Sequence, residues 1–115
     1  MDSGLHWLMV WYLRHCDGDL EHAYGVKIDT IDNPGWMLQI ALRDTPLYGR
    51  DFVPTEHGAP ANNLSEWQSS GSWWVAKVNG EYSEAFCGPL DLEAVISIFR
   101  RWVEALELPQ FEVAL

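Results

Sequence analysis

A chain of 115 residues with 48% hydrophobic and 21% charged residues has the balance of a folded protein and suits one core spanning 1–115. Seventeen acidic residues against seven basic leave a net charge of −10, which repels nucleic acid and anionic membranes and draws in a basic protein partner. No positively charged leader precedes the first helical pattern, and no apolar run approaches the roughly 18 residues that span a bilayer, so the expected location is the cytoplasm.

Ser3 can cap a helix over residues 4–15, in which Leu5, Leu8, Met9 and Tyr12 recur at three and four with Trp7 and Trp11 beside them. Asp17-Gly18-Asp19 ends it, because Gly accepts the left-handed conformation after a helix and Asp competes for local backbone hydrogen bonds. Tyr24, Val26, Ile28 and Thr30 alternate with more polar neighbours, as do Trp36, Leu38, Ile40 and Leu42, so two half-buried strands follow. Pro34 and Gly35 fit the two corners of a type II turn between them.

From Pro54 to Ser72 periodicity is lost, and a long loop is expected with Leu64 and Trp67 as its only large apolar groups. Trp73–Val78 and Glu81–Phe86 then form a second hairpin around Asn79-Gly80, a register that pairs Trp73 with Phe86 and Lys77 with Tyr82. Both of its faces carry apolar residues, so pattern leaves open which is inside. Asp91 can cap the last helix, with Leu90 and Val95 as a hydrophobic staple. Leu92, Val95, Ile96, Phe99, Trp102, Val103 and Leu106 form its apolar stripe, Pro109 stops it, and Phe111, Val113 and Leu115 alternate as a short edge strand or packed tail. The fold class is α+β: a four-stranded antiparallel sheet of two hairpins, with the N- and C-terminal helices on one face.

The groups able to do chemistry gather between the first helix and the first strand. Cys16 near His15 and His22 suggests a nucleophile and a base, and would make a small Cys/His enzyme, but no oxyanion-hole motif or third orienting group accompanies them. Asp17, Asp19 and Glu21 alternate like the start of a calcium loop, yet His22 stands where the turn Gly is required, which excludes an EF-hand. Zinc could be taken by Cys16 and His22 with help from His57 or Cys87, although these scattered positions lack the regular spacing of structural zinc sites. The two cysteines are far apart and read as reduced thiols. No cofactor is called for. A hydrogen-bonded turn explains the cluster without catalysis, and an aromatic pocket for a small ligand is the other alternative to a protein-binding role.

The order Trp11-Tyr12, Cys16-Asp17-Gly18-Asp19, Glu21-His22, Tyr24-Gly25 and Asp32-Asn33-Pro34-Gly35-Trp36 resembles bacterial immunity protein 53, with looser likeness through Gly88-Pro89-Leu90 and Phe99-Trp102-Val103. That resemblance implies a non-enzymatic protein that neutralises a polymorphic toxin, and it names neither the toxin nor any catalytic residue. Toxins that cut nucleic acid are often basic, so carboxylates with aromatic anchors would suit such a partner. Asp17, Asp19, Glu21, Asp29, Asp32, Glu81 and Glu84, with Trp36 and Trp67 beside turns, are the contact residues this reading selects.

Overall fold

The structure is a computed structural model that describes residues 3–16, 25–32, 34–59 and 72–111, the side chains of 107–111 excepted. Helix α1 (Gly4–Arg14) leads into strands β1 (Val26–Ile31) and β2 (Gly35–Ala41); β3 (Thr55–His57), β4 (Trp74–Asn79) and β5 (Tyr82–Cys87) follow, and helix α2 (Leu92–Phe111) closes the order. The sheet runs β1-β2-β5-β4-β3 with every neighbouring pair antiparallel. The expected α+β architecture is present, with five strands rather than four.

The fifth strand is β3, inside the stretch read as loop. Thr-Glu-His is too short and too polar for a periodic signal; it is held by pairing Thr55, Glu56 and His57 with Ala76, Val75 and Trp74, and by the His57 ring stacked 4.3 Å from Trp74. Residues 60–71 lie outside the described residues.

Leu38 and Ile40 of β2, Ala85 and Cys87 of β5 and Ala76 of β4 share one face of the sheet, and all are buried against Val95, Ile96, Phe99 and Val103 of α2 and Leu8 and Trp11 of α1. Trp74 and Val78 point the same way, which resolves the inside of the second hairpin. Its register also differs from expectation: Lys77 pairs with Glu84 and Asn79 with Tyr82, so the corner residues are Gly80 and Glu81. Gly80 has φ +61°, the first-corner glycine of a type II′ turn, whereas an Asn79-Gly80 type I′ corner would need Asn79 at positive φ as well.

The first hairpin departs similarly. Ile31 pairs with Gly35, so Gly35 is the first residue of β2 and not a turn corner. Its role is close approach: a Cβ there would collide with the main-chain oxygen of Cys87 across the sheet.

Helix α1 begins as expected, the Ser3 hydroxyl accepting from the His6 amide at 3.0 Å. Its buried face is rotated from the expected stripe. Trp11 meets Phe99 edge to face at 5.1 Å and Trp7 meets the same ring at 6.0 Å, so Leu8 and Trp11 are buried while Leu5, Met9 and Leu13 stay exposed. Gly4 lets α2 approach, and its amide donates to Glu93 Oε1 at 2.9 Å.

At the start of α2, the Asp91 main-chain oxygen accepts from Ala94 and Val95, but its carboxylate turns to β4 and accepts from Ser72 Oγ and the Trp73 amide. Leu90 is 95% exposed, so the anticipated staple to Val95 does not form. The stripe of α2 is as read, and the helix continues through Pro109 to Phe111. A proline in the last turn forfeits one bond to the carbonyl four residues back and leaves the rest of the ladder intact. Residues 112–115, including the anticipated end strand, lie outside the described residues.

Candidate partner-binding face

Side chains alternate across each strand, so the residues between the core positions form a second face that no described helix covers. One row across it reads Asp29, Met37, Phe86, Val75, Glu56, an apolar strip with a carboxylate at each end. The adjacent row reads Lys27, Gln39, Glu84, Lys77. Met37 and Phe86 are half-buried, Val75 is exposed, and Gln39 Nε2 donates to Glu84 Oε2 at 3.3 Å. A surface with an apolar centre, oriented carboxylates and amide groups at its margin can desolvate against a protein and select for charge.

The nucleophilic groups are occupied elsewhere. Cys16 Sγ donates to the Tyr12 carbonyl at 3.2 Å, and His15 Nδ1 bonds the Trp11 carbonyl at 2.9 Å while its ring stacks on Trp11. Each is tied to the last turn of α1 rather than to the other. Cys87 is fully buried, and loss of water, with the nearby Asp91 charge adding to it, pushes its thiol up to about 11. Among the described residues, no three His, Cys, Asp or Glu side chains gather as a metal site, and no helix is long and apolar enough to cross a membrane.

The sequence profile of immunity protein 53 matches residues 5–104, a span that takes in α1, all five strands and most of α2. The chain belongs to the immunity protein 53 family. No curated protein and no solved structure matches it. Membership makes it an immunity protein directed against a toxin.

An immunity protein acts through a surface, and some of the anticipated contact residues share one. Asp29 and Glu84 do: both lie on the helix-free face, one row apart. Asp29 Oδ1 also accepts from the Thr30 amide at 2.8 Å, which holds the carboxylate toward the outer edge of β1. Asp32 is exposed in the β1–β2 turn. Glu81 lies at the β4–β5 corner, 3.6 Å from Arg43, and an exposed pair of this kind adds about 0–1 kcal/mol to stability. Trp36 is on the other side of the sheet, packed against the core with Nε1 donating to the Pro89 carbonyl at 3.0 Å. Asp17, Asp19, Glu21, His22 and Trp67 lie outside the described residues. Sequence reasoning missed Met37, Val75, Phe86 and Glu56. The alternation of Met37 and Gln39 against Leu38 and Ile40 carried part of that signal, but β3 had to be recognised before Glu56 could join the row.

Proposed function

We propose that this protein binds a cognate bacterial polymorphic toxin in the cytoplasm and neutralises it by covering its active site or the approach of its substrate. The helix-free face of the sheet is the docking surface. Met37, Phe86 and Val75 form the desolvated centre, and Asp29, Glu56 and Glu84 meet basic groups of the toxin. The observation that carries this reading is the apolar strip bracketed by carboxylates on the face opposite the helices, in a member of an immunity protein family. The net charge of −10 supports a basic toxin, such as a nuclease, and speeds encounter with it. Inhibition asks no chemistry of the chain: binding alone removes the toxin's activity. Co-expression with the toxin encoded beside it should restore growth and yield a complex that copurifies. Continued toxicity together with no complex between the purified proteins would overturn the proposal.

A further inference from the structure

Strand β1 is an edge, and its hydrogen-bonding direction follows from one contact. Ala41 donates to the Gly25 carbonyl at 3.0 Å, so Gly25, Lys27, Asp29 and Ile31 bond toward β2, while Val26, Ile28 and Thr30 turn their N–H and C=O groups outward. The Thr30 amide is already taken by Asp29. Among the described residues, no hydrogen bond reaches the outward amides of Val26 and Ile28.

The same two residues line an apolar groove of about 310 Å³ with Leu5, Leu8, Met9 and Tyr12 of α1. Leu5, Met9 and Leu13 stand at successive intervals of four on α1 and are 43%, 59% and 71% exposed; Ile28 on the strand is 37% exposed. A strand edge that is open among the described residues therefore continues into an exposed apolar stripe, a combination that soluble proteins normally blunt or cover.

The sequence of the edge says what fits it. If two copies of β1 pair antiparallel about a twofold axis through Ile28, the outward groups of Ile28 exchange bonds with their own counterparts, and Val26 meets Thr30. On the helix-free face, Lys27 then lies directly opposite Asp29 of the second copy, and Asp29 opposite Lys27, giving two cross-strand ion pairs. Twofold centres on Val26 or Thr30, the other outward residues, give no such pairing. The Asp29 carboxylate, bonded to the outward Thr30 amide, already lies at this edge; pairing passes that amide to the Val26 carbonyl of the second copy and frees the carboxylate for Lys27. On the other face, the axis brings the two Ile28 side chains together and sets the two α1 stripes on the same side of the joined sheet.

We infer that the partner of the β1 edge is a second copy of this chain, joined through a twofold pairing centred on Ile28 into a continuous ten-stranded sheet. This assembly does not require the toxin; it leaves the central strip of Met37, Phe86 and Val75 open and doubles it, while Asp29 stands both in the seam and at the rim of the proposed docking face.

Light scattering and sedimentation of the full chain, from roughly 1 µM to 1 mM, test it. The wild type forms a dimer within that range. Lys27→Asp and Asp29→Lys each place like charges opposite one another and weaken self-association by about 30-fold, since two cross-strand pairs turn from attraction to repulsion. Mixed in equal amounts, the two variants restore opposite charges at both positions and form a heterodimer. Net charge cannot mimic this pattern, because the substitutions change it in opposite directions yet both disrupt. Melting curves matched to wild type exclude misfolding, and Lys27→Glu with Asp29→Arg serve as a second pair if either protein melts early. A wild type that stays monomeric, single variants that dimerise as wild type, or a mixture that fails to associate would each overturn the inference.

Discussion

Asp91 joins the start of α2 to the start of β4, and its removal should cost more than a surface carboxylate would. Its Oδ2 accepts from the buried Trp73 amide at 3.0 Å, and its Oδ1 accepts from Ser72 Oγ at 3.1 Å, while the residue itself is 9% exposed. In Asp91→Ala the Trp73 amide loses a charged acceptor in a place water does not readily reach, a change of about 1.5–3 kcal/mol. Ser72 is exposed, so its hydroxyl turns to solvent at little cost. Release of the carboxylate from a poorly hydrated site returns part of the loss, leaving about 2 kcal/mol of destabilisation. Asp91→Asn keeps an oxygen for Trp73 and offers Ser72 an amide instead, and should cost about 1 kcal/mol or less. Urea denaturation reads both: with a slope of about 1–3 kcal/mol per molar, the Ala variant should move the midpoint down by about 0.7–2 M, with the slope unchanged. Equal midpoints for Ala and Asn, or a loss below about 0.5 kcal/mol for Ala, would refute the assignment of this carboxylate to Trp73.

Further expectations follow from the core. Cys87, raised to about 11 from an ordinary value of 9.0 and fully buried, should react with iodoacetamide in the native protein at least about 100-fold more slowly than an exposed thiol at pH 8, and unfolding should abolish the difference. Because the folded state holds that proton more tightly than the unfolded chain, stability should fall as pH rises from about 9 through about 11; stability that is flat or rising across that window would contradict it. Gly35→Ala forces a Cβ against the Cys87 carbonyl and should cost about 3 kcal/mol, read as a lowered melting temperature. Trp36→Phe loses the bond from Nε1 to Pro89 and should cost about 1 kcal/mol of stability in a thermal melt while leaving toxin affinity unchanged, because the ring faces the helices.

Much of this fold is legible in the sequence. The stripe from Leu92 to Leu106 is long and keeps helical period, and its central members Val95, Ile96, Phe99 and Val103 are the ones that bury completely or nearly so. Ser3 marks the start of α1 through a purely local bond. What escaped was set by tertiary contact. The rotation of α1 depends on Trp7 and Trp11 finding Phe99, a partner about ninety positions away, and no local pattern ranks Trp11 above Met9 for burial. Two nearby glycine-containing corners were open to the second hairpin, and the choice between Asn79-Gly80 and Gly80-Glu81 changes which residues pair without changing which face they share. Strand β3 has no pattern of its own and exists through its ladder to β4.

The proposed contact surface was legible only in part, for the same reason. Asp29 and Glu84 look alike in sequence to Asp32 and Glu81, yet register places the first two on the sheet face and the second two at turns. Trp36 adjoins a turn, which suggested presentation to a partner; strand parity sends it to the core side instead. Phe86 has the opposite history: its alternation with Ala85 and Cys87 places it outside, and the apolar strip it belongs to emerges only when Met37 and Val75 are seen on either side.

The dissociation rate of the complex formed by Phe86→Ala with the cognate toxin tests the central claim most directly, with Trp36→Phe as the comparison from the opposite face. A central aromatic anchor that loses its ring costs about 2 kcal/mol or more, so the Phe86→Ala complex should dissociate about 30-fold faster than wild type, at a temperature where both proteins are fully folded. Trp36→Phe should dissociate at the wild-type rate. Wild-type dissociation for Phe86→Ala, with Trp36→Phe accelerated in its place, would contradict the assignment of the helix-free face to toxin binding.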